Sequence, residues 1–212
     1  MLEVIPGILE KEWSEIERKI NLVKSFARTI HIDIIDGKFA PNTTFLDPTP
    51  FAKYAKELTL EIHMMVENPI QYLKPFADAG FRRFLGHVER MNNQEEFVAQ
   101  GELLGEVGLA IDGPTTLDAI KVPYRDLDCI LVMTIKAGES GQVFVQDNLK
   151  KVEIIRKASN DVPFSIEVDG GISDKTISES KNKGAVRFVA NSFIFQSQDP
   201  HNQFNLLKKC LE

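Results

Sequence analysis

The sequence predicts a (β/α)8 barrel, one domain spanning residues 1–212. Short apolar strands alternate with amphipathic helical stretches eight times along the 212 residues. No Ser/Gly-rich linker or low-complexity tract interrupts them. Three of the strands end in an inward His or Asp, and those strands are spread along the chain. A barrel mouth gathers residues in that way, which sets it above its rival, the doubly wound sheet.

Strands are expected at 2–7, 28–35, 58–65, 82–88, 107–111, 128–134, 163–168 and 186–190. Helices are expected at 11–26, 49–56, 69–79, 93–104, 115–120, 145–159, 174–183 and 200–211. The first strand closes on Pro6-Gly7. In the second, Ile30, Ile32 and Ile34 share one face and His31, Asp33 and Ile35 the other. His31 and Asp33 therefore point the same way, about 7 Å apart along the strand. The third places His63 opposite Leu60, Ile62 and Met64, and the fourth ends in His87-Val88-Glu89. The fifth leads into Asp112-Gly113, and the sixth buries Cys129 before the loop 136–142. The seventh places Asp169 opposite Phe164, Ile166 and Val168, just ahead of Gly170-Gly171. The eighth ends at Asn191-Ser192 and a short helical stretch, and His201 opens the last helix at the surface.

With the apolar faces packed outward on helices, Glu61 and Glu167 lie one layer below His63 and Asp169. There they either hold the imidazoles from beneath or, with the register shifted, sit on the rim. Two His and two Asp at strand ends make a mixed N/O set suited to one divalent ion, Zn, Mn or Fe(II). Asp33 and Asp169, on opposite strands, are placed to act as base and acid on the two faces of a substrate. A metal polarising a carbonyl between them suits proton abstraction next to that carbonyl. The loops after strands seven and eight, Gly170-Gly171-Ile172-Ser173 and Asn191-Ser192, are where barrels hold phosphate.

Hydrophobic content of 43% and charged content of 26% suit a soluble enzyme. A net charge of −6 argues against nucleic-acid and membrane-surface binding, so an anionic ligand needs a local donor site. Acids stand near the N-terminus where a signal peptide carries bases, and no apolar run approaches about 20 residues. A cytoplasmic location is expected, and Cys129 and Cys210 predict no disulfide framework. Barrels of this size often pair, so a homo-oligomer is expected without a face assigned to it.

HIDIIDGKFAPNTTF, HMMVENPIQYL, GHVE, VMTIKAGESGQVF, EVDGGIS and VANSFIF follow in this order across nearly the whole chain. In order and spacing they resemble the ribulose-phosphate 3-epimerases. The resemblance implies a (β/α)8 barrel that interconverts D-ribulose 5-phosphate and D-xylulose 5-phosphate with one divalent metal. It implies His31, Asp33, His63 and Asp169 as metal ligands, with Asp33 and Asp169 also the acid/base pair around an enediolate. Met65 and Met133 match pocket methionines, and Gly170, Gly171, Asn191 and Ser192 match phosphate-binding segments.

Departures from the family pattern cluster around the substrate. Pro6-Gly7-Ile8-Leu9 stands where the family reads Pro-Ser-Ile-Leu, so Gly7 replaces a substrate-contacting serine. The loop Lys136-Ala137-Gly138-Glu139-Ser140-Gly141-Gln142 keeps Gly138, Gly141 and Gln142 of Asn-Pro-Gly-Phe-Gly-Gly-Gln. Asn191 replaces a glycine, and Asp112-Gly113 an Asn-Pro. Lys136 is either a source of phosphate charge or a solvated lysine. The set fits the same reaction on a different or looser substrate. A ketohexose phosphate such as allulose 6-phosphate and a non-catalytic sugar-phosphate-binding barrel are the alternatives. A barrel lyase or synthase would need a catalytic Lys on a strand end or an Asp-x-Lys pair, and no strand ends in one apart from Lys136 in a loop.

Overall fold

The computed structural model describes residues 2–138, 141–159 and 164–212. Period-2 alternation makes eight strands: β1 (Glu3–Ile8), β2 (Thr29–Ile35), β3 (Thr59–Met65), β4 (Phe81–His87), β5 (Glu106–Ile111), β6 (Cys129–Met133), β7 (Ser165–Asp169) and β8 (Arg187–Ala190). All pair in parallel with their neighbours, and β1 pairs with β8, so the sheet closes into a barrel. Parallel strands need a crossover between them, and helices supply most of these. They are α1 (Trp13–Val23), α2 (Ile70–Asp78), α3 (Gln94–Glu102), α4 (Leu149–Ala158) and α5 (Ile177–Asn182), and α6 (Ser192–Phe195) and α7 (Pro200–Cys210) follow the last strand.

Side chains of each strand divide between two cores. Ile30, Ile32, Ile34, Leu60, Ile62, Val168 and Phe188 face outward and pack with Ile16, Ile20 and Val23 of α1 and Leu207 of α7. Burying each such side chain stabilises the fold by about 1.5–3 kcal/mol, which outweighs any local propensity. Ile35, Met65, Leu85, Ala110, Leu131 and Met133 face inward and fill the barrel. The register aligns His31 with Glu61, Asp33 with His63, and Met133 with Asp169, which levels the polar residues across strands.

Two crossovers are not the helices expected. Residues 49–56 form a 3-10 helix over Thr49–Tyr54 that opens on Pro48 and Pro50, in the first turn, where proline removes no hydrogen bond. Within 115–120 only Leu117–Ala119 turn, because Pro114 and Pro123 leave too little chain for an α-helical nucleus. The seventh strand, expected at 163–168, runs from Ser165 to Asp169, and residue 163 lies outside the described residues. Cys129 and Cys210 are both free thiols. Among the described residues no helix is long and apolar enough to cross a membrane.

Candidate metal and acid/base site

β2, β3 and β7 carry His31, Asp33, His63 and Asp169 to one level at the C-terminal end of the barrel. One ligand atom from each lies within 4.8 Å of the others. His63 Nδ1 is 2.8 Å from Asp33 Oδ1 and 3.7 Å from Asp169 Oδ2. His31 Nε2 stands 3.4 Å from Asp33 Oδ1 and, though buried, has no hydrogen-bond partner. Donors about 2.1 Å from one ion stand roughly 3.4 Å apart in a tetrahedral site. Two imidazoles and two carboxylates so placed fit a divalent cation, and the buried Nε2 atoms of both His31 and His63 lack a hydrogen-bond partner.

The two carboxyls are pushed in opposite directions. Burial opposes ionisation of Asp33, but the His31 imidazolium beside it and the hydrogen bond from His63 Nδ1 hold it down to about 2. Burial, reinforced by the charge on Asp33, pushes Asp169 up to about 7 against His31 and His63. Burial also opposes the charge on His31, yet Asp33, Glu167 and Glu61 together hold its imidazole well above the usual value. Near neutral pH Asp33 is ionised while Asp169 exchanges its proton readily, a division that suits acid/base work. Both titrate within one cluster, so they act as a pair.

Above the carboxyls opens a cavity with about 440 Å³ of empty space, part of it open to solvent. Asp33, Met65, Met133, Gly138, Gly141, Asp169, Gly170, Gly171, Asn191 and Ser192 line it. Gly7 is not among the lining residues, since its α-carbon faces Val189, and Leu9 lines the cavity on that side. Gly170 holds φ +109°, and a Cβ there would collide with the Ile135 side chain, so glycine alone fits. Asn191, standing where the family pattern has a glycine, holds φ −104°. Lys19 Nζ donates to its Oδ1 at 3.4 Å, which ties the amide toward α1.

Lys136 lines a neighbouring cavity with Phe39, Glu89, Arg90 and Asp112, and is exposed. Glu139 and Ser140 of the same loop lie outside the described residues. His87 is buried against His63, with ring centroids 4.8 Å apart, and its Nδ1 donates to Glu89 Oε2 at 2.8 Å. Burial opposes the charge on Glu89, but that hydrogen bond and the His87 charge hold it down to about 2. Glu61 and Glu167 lie inside the barrel below His31, fully buried. Sequence reasoning missed their partners, Arg83 and Arg187, and also Lys19. The signal was available: Arg187 shares an inward face with Val189, and Lys19 falls on the apolar stripe of Ile16, Ile20 and Val23.

Metal-assisted proton transfer at a (β/α)8 mouth is the class of chemistry that such a donor set and such a split pair can serve. Sequence comparison narrows the class, since a profile of the ribulose-phosphate 3 epimerase family matches residues 3–195. The chain belongs to that family and is an isomerase of its kind. It is 32% identical to the ribulose-phosphate 3-epimerase of Schizosaccharomyces pombe, over 99% of this chain and 93% of that one. It is 30% identical to the cytoplasmic isoform of Oryza sativa subsp. japonica, over 99% and 94%. Among solved structures, 3-hexulose-6-phosphate synthase from Salmonella typhimurium superposes with a TM-score of 0.73 at 14% identity, covering 99% and 98% of the chains. The 3-keto-L-gulonate-6-phosphate decarboxylase from Vibrio cholerae gives 0.71 at 11%, covering 99% and 97%. Likeness at that identity shows the shared barrel.

Proposed function

We propose that this chain epimerises a ketose phosphate at C3, converting D-ribulose 5-phosphate to D-xylulose 5-phosphate. The observation that carries the reading is the convergence of Asp33 and Asp169 with His31 and His63 at the mouth of a barrel of this family. Asp33 takes the C3 proton from one face, and Asp169 gives its own proton to the other. C3 is thereby inverted, with the two residues left in exchanged protonation states; the reverse reaction uses them in the opposite order. A divalent cation (Zn, Mn or Fe(II)), held by His31, Asp33, His63 and Asp169, supplies Lewis-acid polarisation of the C2 carbonyl.

The rest of the cavity orients and shelters the sugar. Met65 and Met133 offer soft apolar contact to the flattened carbon skeleton and keep water from it. Gly170-Gly171 and Asn191-Ser192 present backbone to the phosphate, with Gly138 and Gly141 opposite. The neighbouring cavity, which shares Gly138, gives room for a longer sugar and makes allulose 6-phosphate the second substrate to test.

Proton NMR in D2O with the metal-loaded protein tests this reading. Deuterium should replace hydrogen at C3 of ribulose 5-phosphate, and Asp33→Asn should slow the exchange by about 10²–10⁴-fold. Faster exchange on allulose 6-phosphate would reassign the substrate. No exchange on either sugar with the cation bound would leave a binding barrel in place of an enzyme of this kind.

A further inference from the structure

Beneath the four converging residues the barrel floor is charged. Parallel register sets Glu3 beside Arg187 and Arg187 beside Glu167, and likewise Glu61 beside Arg83 and Arg83 beside Glu106. Each neighbour carries the opposite sign, the favourable arrangement for cross-strand pairs. Arg187 Nε donates to Glu167 Oε2 at 2.6 Å, its Nη2 reaches across the barrel to Glu61 Oε2, and its Nη1 meets Glu3. Arg83 Nη1 donates to the same Glu61 oxygen at 2.8 Å. Glu61 Oε1 is left for His31 Nδ1, at 2.6 Å, and Glu167 Oε1 lies 3.3 Å from that nitrogen. Glu61 and Glu167 are 0% exposed and Arg187 is 5%.

His31, Glu61 and Glu167 by themselves offer three ligand atoms within 4.8 Å of one another, the spacing of a second cation site. The guanidinium groups argue otherwise. A cation there would meet two fixed positive charges away from water and would have to displace the proton on His31 Nδ1. We propose instead that Arg187, helped by Arg83, is a positioning residue for the metal centre, acting through Glu61 and Glu167 on His31. A carboxylate bound to two guanidinium groups only accepts hydrogen bonds, so His31 Nδ1 must donate to Glu61. An imidazole that keeps its proton on Nδ1 presents the Nε2 lone pair toward Asp33, His63 and Asp169. The inference rests on the reading of those four residues as the metal-holding set.

Cobalt(II) added to the metal-free full chain is the probe, because its visible absorption reports ligand geometry as well as occupancy. One cobalt per wild-type chain is expected. Glu61→Gln, whose amide can donate to Nδ1 and so free the other tautomer, should weaken cobalt binding by about 10–100-fold and alter the absorption band. Arg187→Lys should fall between wild type and Glu61→Gln, since it keeps the charge and loses the fork. Arg187→Met with Glu167→Gln removes one charge of each sign, which guards against a variant that merely unfolds, and circular dichroism checks the fold of all three. Folded variants with wild-type affinity and absorption would reduce the network to a structural role and overturn the proposal. A second cobalt on the wild-type chain, lost in Glu61→Gln, would also overturn it. If the wild-type chain binds no cobalt, the metal-site reading fails and takes this inference with it.

Discussion

Asp33 and Asp169 show how little sequence chemistry fixes about a side chain until its surroundings are known. Both are aspartates at strand ends, yet the His31 charge and the His63 hydrogen bond depress one, while burial and the other's charge raise its partner. The same pattern predicts a linkage. Against the cost of burial, neighbouring carboxylates raise the His31 imidazole well above its usual value in the metal-free chain, and a divalent cation on its Nε2 must displace the proton there. Cation affinity should therefore rise with pH between about 6 and 8. Calorimetric titration in buffers of different ionisation enthalpy should show release of about one proton. Affinity independent of pH would place the cation elsewhere. His31, Asp33, His63 and Asp169 were legible because a period of two is local. Arg187 was not legible as a network member, because its acceptors lie 20, 126 and 184 positions away in sequence.

Elements decide how the rim is shaped. Gly170 follows β7 at φ +109° with no room for a Cβ beside Ile135. Gly170→Ala should cost about 1–3 kcal/mol, seen as a lower melting temperature, and should raise KM more than it lowers kcat. An unchanged KM would separate this loop from substrate. From α1, Lys19 is paired with Glu10 at 2.7 Å and donates to Asn191, which joins a helix to the loop after β8. Lys19→Met releases that loop, and the loss of about 1 kcal/mol of hydrogen bonding corresponds to roughly a fivefold rise in KM. Steady-state kinetics with kcat unchanged is the expected outcome. Helix positions were readable from apolar stripes, whereas the 3-10 turns at 49–54 and 117–119 were not. Apolar spacing looks alike over so few residues, and too short a segment cannot sustain an α-helical nucleus.

At the scale of the molecule, the buried polar floor ties stability to pH and to metal. Asp33 and Glu89, each held down to about 2, and Glu61, held well below its usual value, are ionised in the folded chain. Carboxyls so depressed contribute stability that is complete above about pH 4.5 and is lost as pH falls toward 2. Urea midpoints measured across that range should fall steeply, and a flat profile would contradict the network. Asp169 has the opposite sign: its folded value is raised, so its contribution is present below about pH 4 and disappears as pH rises through about 7. A bound cation relieves that penalty. At a hundredfold excess over its dissociation constant it adds about 2.7 kcal/mol, or roughly 5–10 °C in melting temperature for a chain of this size. Chelation should reverse the gain.

The sequence by itself determined the barrel, the eight strands to within two residues, and the inward direction of two His and two Asp. These follow from hydrophobic periodicity, which is written locally and enforced by burial. Only the tertiary structure decided which carboxyl is ionised, that Lys136 faces a neighbouring cavity, that Lys19 holds Asn191, and that two arginines lie under His31. Each of those depends on groups from distant elements brought together by the closed barrel. Their sign and distance are set by strand register and barrel closure, which no local pattern in the chain records.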